Sequence, residues 1–173
     1  MRRLIPVALI ASCLIAVPAL AVSSPTYKVH VPAKFKSLLP NVKTKSGLAV
    51  RLPSTIPSYV KPSKTFTNGS ATRKSYDLAL GAGKNCNGAN ACFIAAFLAT
   101  RGAKPAFKTK VSLVNGITGY FKPVTCGASC SPAFIQWKEG KVLYEIELKG
   151  LASSKEKSGM KRLANSAIRG GDR

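Results

Sequence analysis

The chain has 173 residues, of which 27 are lysine or arginine and only 6 are aspartate or glutamate, giving a formal charge of +21 with a single histidine. That length suits one domain with a real core. The composition argues against chemistries built on clustered histidines and carboxylates, namely metal sites and histidine-based nucleophilic catalysis.

Arg2 and Arg3, the apolar run Leu4 to Val17 and then Ala19-Leu20-Ala21 have the three-part form of a secretory signal, so residues 1–21 are read as a cleaved leader. A second reading competes for the same segment. Ile10-Ala11-Ser12-Cys13 has the order of a bacterial lipobox, which would make Cys13 a lipidated N-terminus. The apolar Leu14-Ile15-Ala16-Val17 that follows favours plain cleavage. Neither route leaves a transmembrane span in the mature chain, because nothing later approaches the ~20 apolar residues one needs.

Residues 22–64 carry prolines at positions 25, 32, 40, 53, 57 and 62 and are expected to form an extended Pro-rich arm of the same domain. Tyr27 to Val31 and Leu48 to Leu52 alternate, and each reads as a strand that could join the main sheet. Ile56, Tyr59 and Val60 give the connecting loop something to bury. Asn68-Gly69-Ser70 reads as a turn and is also a formal glycosylation sequon.

The remainder, 65–173, reads as α+β: a mainly antiparallel sheet of about five to seven strands with one C-terminal amphipathic helix packed on it. Ser75 to Leu80 alternates, with Tyr76, Leu78 and Leu80 on one face and Asp77 on the other. Cys92 to Thr100 fits a helix through Phe93 and Phe97 and a strand through Ile94, Ala96 and Leu98. Its brevity favours the strand. Asn115-Gly116 predicts a two-residue hairpin turn pairing Leu113 with Thr118, so that Val111, Leu113, Thr118 and Tyr120 share a face. Glu139-Gly140 predicts a second hairpin pairing Trp137 with Val142 and Ile135 with Tyr144, with Ala133 and Ile146 on the same face. Ser153 and Glu156 form a capping box, after which Met160, Leu163, Ala164, Ala167 and Ile168 make one apolar stripe. Lys157, Lys161, Arg162 and Arg169 lie on its polar side. A membrane-surface helix is conceivable, but the short stripe with two alanines favours packing across the sheet.

With Cys13 set aside, Cys86, Cys92, Cys126 and Cys130 remain in an exported chain, an even set that implies disulfides. Three connectivities are possible. Cys86 with Cys92 and Cys126 with Cys130 are favoured because each pair brackets a flexible loop. The spacings are too long for a C-x-x-C redox motif and do not match paired zinc ligands.

The Leu52-Pro53 strand, Tyr76-x-Leu78, CNGANAC (86–92), NGITGYF (115–121), CGASCSP (126–132) and Trp137-x-x-Gly140-x-x-x-Tyr144 together resemble small bacterial exported proteins of unassigned function. The last hairpin with the Leu163-Ala164 and Ala167-Ile168 helix is similar to the end of a domain found in envelope proteins and in the outer parts of anti-sigma factors. These resemblances imply a place in the cell envelope and no catalytic residue.

Function is read accordingly as a non-catalytic binding or interaction module, exported to the periplasm or the exterior, with no cofactor. A structural surface component anchored through Cys13 and a secreted hydrolase with an unrecognised nucleophile are the alternatives. The charge suits an anionic envelope polymer or an anionic lipid surface, and a protein partner is the other option. The basic residues are scattered, which also suits simple solubility. They lack the interleaved aromatics of a base-stacking surface, which argues against sequence-specific nucleic-acid binding. Disulfide-closed loops are rigid platforms, so Asn85, Asn87, Asn90, Ser129 and Ser131 are the expected contact residues, against the plainer reading of well-anchored connections. His30 sits in the arm and has no catalytic context. Glu145 and Glu147 project from one strand face at roughly 7 Å, nominally an inverting glycosidase spacing. Facing the same way as Lys141, they read instead as charges relieving local positive potential.

Overall fold

A computed structural model describes residues 27–84, 86 and 90–173 of the chain. The leader, Cys13, Asn85 and Asn87 lie outside the described residues. Among these described residues no helix is long and apolar enough to cross a membrane.

The arm is folded, which corrects the extended reading from Tyr27 onward. β1 (Tyr27–His30) pairs antiparallel with β2 (Thr55–Ser58) in a separate two-stranded sheet. Between them lie two short helices, α1 (Val31–Phe35) and α2 (Leu39–Ser46). Pro32 and Pro40 sit in the first turn of each, where the missing N–H costs nothing and the fixed φ starts the helix. Gly47, at φ 58°, ends α2 in the left-handed conformation and donates its N–H to the Lys43 carbonyl.

Leu48, Val50 and Leu52 are buried, but they join no ladder. Side chains satisfy their backbone instead. Val50 N–H donates to Asp172 Oδ1 (2.8 Å), Arg51 N–H to Tyr76 Oη (3.1 Å) and Ser54 N–H to Ser166 Oγ (3.0 Å). A strand expected on alternation alone is thus an extended segment held by its neighbours' side chains. Ile56 enters the core, whereas Tyr59 stays at the surface, its hydroxyl donating to the Phe93 carbonyl.

The main sheet is antiparallel, with seven strands. They are β3 (Phe66–Thr72), β4 (Ser75–Gly81), β5 (Phe93–Arg101), β6 (Thr109–Ser112), β7 (Thr118–Lys122), β10 (Ala133–Glu139) and β11 (Val142–Leu148), in the order β3-β4-β5-β11-β10-β7-β6. Two-residue strands β8 (Thr125–Cys126) and β9 (Cys130–Ser131) make a small ladder of their own. Asn68-Gly69 lies inside β3, not in a turn. A Cβ on Gly69 would sit 2.9 Å from Leu78 Cδ2 and 3.2 Å from Leu38 Cδ1, so this glycine lets the α1–α2 connection approach the strand.

Both hairpins keep their strands and lose their expected register. In β10–β11 Glu139 pairs with Val142, Trp137 with Tyr144 and Ile135 with Ile146, a slip of two residues that leaves every side chain on its expected face. Gly140 (φ 56°) opens the turn rather than closing it. In β6–β7 Ser112 pairs with Thr118 and Val111 with Gly119, a slip of one. Asn115 and Gly116 have the positive φ expected of them, but Val114 is extra to the ladder, because Leu113 N–H bonds the Ile117 carbonyl. Thr118 and Tyr120 therefore leave the core face, and Gly119 and Phe121 take it. Gly119 is required there, since Val111 and Leu113 side-chain atoms lie 2.9 Å from where its Cβ would be.

α3 (Glu156–Gly170) packs on β7, β10 and β11 through Met160, Leu163, Ala164, Ala167 and Ile168. The capping box is not formed. Residues Ser153–Lys155 make a 3-10 turn, and the Glu156 carboxylate turns inward to accept from Val124 N–H (3.2 Å). Phe35 and Val42 of the first two helices lie in the same hydrophobic cluster as Phe97, Trp137 and Met160. The helices thus cover one face of the sheet, and among the described residues no helix lies on the other face.

Candidate functional site

The uncovered face follows from strand order and register. Ser70, Asp77, Leu98, Glu145, Gln136 and Tyr120 form one cross-strand row, and Asn68, Ala79, Ala96, Glu147, Phe134 and Lys122 form the next. β5 is apolar on both faces: Ala95, Phe97 and Ala99 point into the core, while Ala96 and Leu98 floor the outer face. A bulge beside Gly81 absorbs Ile94 and restores the core register beyond it.

Cys86 and Asn90 from one disulfide-closed loop, and Cys126, Gly127, Ser129 and Cys130 from the other, border this face. Cys86 is bonded to Cys92 and Cys126 to Cys130, the connectivity favoured by spacing. A Cβ on Gly81 would meet Cys86 Cβ at 2.6 Å, so a bare backbone at that position lets the first cystine fold against β4. Asn90 Nδ2 donates to the Cys130 carbonyl (2.7 Å), tying one loop to the other, and Lys149 Nζ donates to the Asn90 carbonyl. Together these loop residues and the sheet line an open cavity of about 640 Å³. Asn90, Ser129 and Ser131 line it, as do Ala79, Ala96, Leu98, Asp77 and Glu147. His30, exposed in β1, is not among the cavity residues.

The polar floor was not anticipated. Asp77 comes from β4 and Glu147 from β11, strands separated by β5, so only the assembled sheet brings them together. Gln136, 5 % exposed, accepts from Ala106 N–H (2.8 Å) and donates through Nε2 to Glu145. Burial raises the Glu147 carboxyl to about 7, reinforced by the charge of Glu145, by a hydrogen bond between the two carboxyls and by Asp77. Burial also raises Asp77. Two carboxyls within hydrogen-bonding reach of each other leave no room for the water that an inverting pair must hold at a separation of about 6.5–9.5 Å. Neither forms an ion pair with Lys141, the ion pairs among the described residues being Lys43–Asp172 and Arg51–Glu139. No group of three or more His, Cys, Asp or Glu among the described residues is arranged to hold a metal ion. No serine hydroxyl among them is hydrogen-bonded to a lysine amine.

Glu147 gives the site a measurable signature. Between the ordinary 4.5 and about 7 the folded carboxyl keeps a proton that the unfolded one has released, so stability falls as pH rises through that window. Glu147→Gln removes the effect. It is expected to melt roughly 3 °C above the parent chain at pH 8, about what 1 kcal/mol is worth in a domain this size, and to match it at pH 5. Equal differences at both pH values would refute this.

No family model matches this chain, and the curated proteins and solved structures compared with it contain no match.

Proposed function

We propose that this chain is an exported, non-catalytic binding module that receives a small ligand, or the end of a larger one, in the cavity on the outer face of the sheet. The observation that carries this reading is the cavity itself. Its volume falls within the roughly 300–1,000 Å³ typical of ligand sites, and it has an apolar floor with a few convergent polar groups. Two cystines and an inter-loop hydrogen bond fix its walls, which favours a preformed site over one assembled on binding. The same cystines, with the Arg2-Arg3 leader, support work in an oxidising compartment outside the cytoplasm.

The ligand that fits has an apolar body for Ala79, Ala96 and Leu98 and a hydrogen-bond-donating group, such as an amine, for Glu147 and Asp77. Titrating the ¹⁵N-labelled protein with benzylamine and with benzyl alcohol tests this. The amine is expected to shift the amides of Ala79, Ala96, Leu98 and Gly127 at millimolar concentration, and Ala96→Trp, which fills the floor, should abolish those shifts. Glu147→Gln should weaken the amine severalfold and leave the alcohol unchanged. Shifts that persist in Ala96→Trp, or that fall outside the cavity, would remove this reading.

A further inference from the structure

The chain's acidic residues are segregated to a degree its sequence does not show. Asp77, Glu145 and Glu147 lie on the outer sheet face, Glu139 is paired with Arg51, Asp172 with Lys43, and Glu156 is buried against Val124 N–H. Those are all six acids of the chain. The solvent side of α3 and the 3-10 turn before it therefore carry Lys155, Lys157, Lys161, Arg162 and Arg169, all exposed, with no carboxylate among them to screen their charge. Beside its first turns, the edge strand β6 adds Lys110, and the two elements bound a groove of about 520 Å³. Ser112, Ser154 and Ser158 line that groove between Lys110, Lys157 and Lys161.

We propose that this groove seats a linear polyanion with closely spaced phosphate groups, recognised through its backbone. Three ammonium groups supply the charge, and three hydroxyls supply donors to phosphate oxygens. Lysine on an edge strand also blocks unwanted strand pairing, which accounts for Lys110 but not for the lysines of α3. A membrane surface fits less well. The apolar stripe of α3 is spent on the sheet, and the only large apolar side chain exposed among the described residues is Tyr59, outside the groove, so nothing here inserts among lipid chains. The groove also has no aromatic lining on which bases could stack.

Fluorescently labelled long-chain inorganic polyphosphate is the probe, titrated at several salt concentrations against three proteins of verified fold. They are the parent chain, a Lys110/Lys157/Lys161→Gln triple, and a charge-matched Lys36/Lys64/Lys138→Gln triple. The groove triple is expected to bind between roughly tenfold and a hundredfold more weakly at low salt, with a log K against log salt slope flatter by about 2. The matched triple should stay within about threefold of the parent. Equal loss in both triples would mean that net charge alone acts and would overturn the proposal. So would binding to vesicles of one part phosphatidylglycerol and three parts phosphatidylcholine as tight as that to polyphosphate at the same salt.

Discussion

Trp137→Ala is expected to cost about 4 kcal/mol and to lower the melting temperature by on the order of 10 °C, measured with both disulfides intact. The indole is fully buried and stacks on Tyr144 with ring centroids 5.5 Å apart, while its Nε1–H donates to Glu139 Oε1 at 3.0 Å. Alanine removes the largest side chain of the core and leaves a cavity that a sheet clamped between neighbours cannot close. A loss of that size approaches the whole stability of an ordinary domain, typically about 5–15 kcal/mol. Trp137→Phe keeps a ring against Tyr144 and loses only the hydrogen bond, so it should cost about 1–2 kcal/mol. A Trp137→Ala protein within about 1 kcal/mol of the parent in urea denaturation would show that this stack does not hold the sheet.

The same strands carry the site on their other face. Glu147 of β11 lines the cavity and is hydrogen-bonded to Glu145, which in turn accepts from Gln136, and these residues alternate with Trp137, Tyr144 and Ile146, so whatever loosens the core side of β10 and β11 also misplaces the Glu147 carboxyl. This alternation explains how far the chain could be read in advance. Faces were legible in β10 and β11, where alternating Ile135, Trp137, Tyr144 and Ile146 keep their side under an even slip, but not in β7, where a slip of one exchanged Thr118 and Tyr120 for Gly119 and Phe121. Register was not, because it is decided by partners far along the chain. Glu139 looked like a turn residue beside Gly140. It sits in the ladder because its carboxylate is needed by Arg51 and Trp137, which no local rule sees. Val114 leaves the β6–β7 ladder because Gly119 offers room for Val111 and Leu113.

The candidate site was half legible for a similar reason. The cysteine spacing pointed to the two disulfide-closed loops; of the five contact residues expected on them, Asn90, Ser129 and Ser131 line the cavity, and Asn85 and Asn87 lie outside the described residues. The floor stayed hidden because β5 is apolar on both sides, so its even positions could not be told apart from a core face. Asp77 and Glu147 belong to strands brought together only by the order β4-β5-β11. Charge behaves alike. Lys110, Lys157 and Lys161, far apart or merely neighbours in sequence, come to line one groove only when β6 is set beside α3, and the acids lie on the sheet's outer face or in hydrogen bonds elsewhere.

Glu139→Ala is expected to cost about 3 kcal/mol, and the reason lies in that internal bonding. Arg51 Nε and Nη2 hold the Glu139 carboxylate at 3.1 and 2.5 Å, with side-chain exposures of only 18 % and 23 % for the pair. Burial works against the Arg51 charge, but the hydrogen bond and charge of Glu139, with Tyr144 and Asp172, more than offset it and raise its pKa. Removing the carboxylate strands a guanidinium in a half-dry setting and leaves the Trp137 Nε1–H without its acceptor, which is the costly way to break a pair. Glu139→Gln keeps one oxygen for these donors and should lose about 1–2 kcal/mol. The Arg51→Met/Glu139→Leu double variant, with no charge left to satisfy, should return to within about 1 kcal/mol of the parent, a coupling visible in a double-mutant cycle. Strictly additive single losses would refute it. Arg51 also belongs to the extended segment that joins no ladder, so its anchorage is what fastens that segment, and with it Arg173, whose N–H bonds the Val50 carbonyl, to the end of the sheet. Limited proteolysis of Glu139→Ala should therefore cut first between Gly47 and Ser54, because an extended segment outside every ladder depends on a few side-chain bonds and the backbone bonds to Val31 and Arg173 to keep it in place.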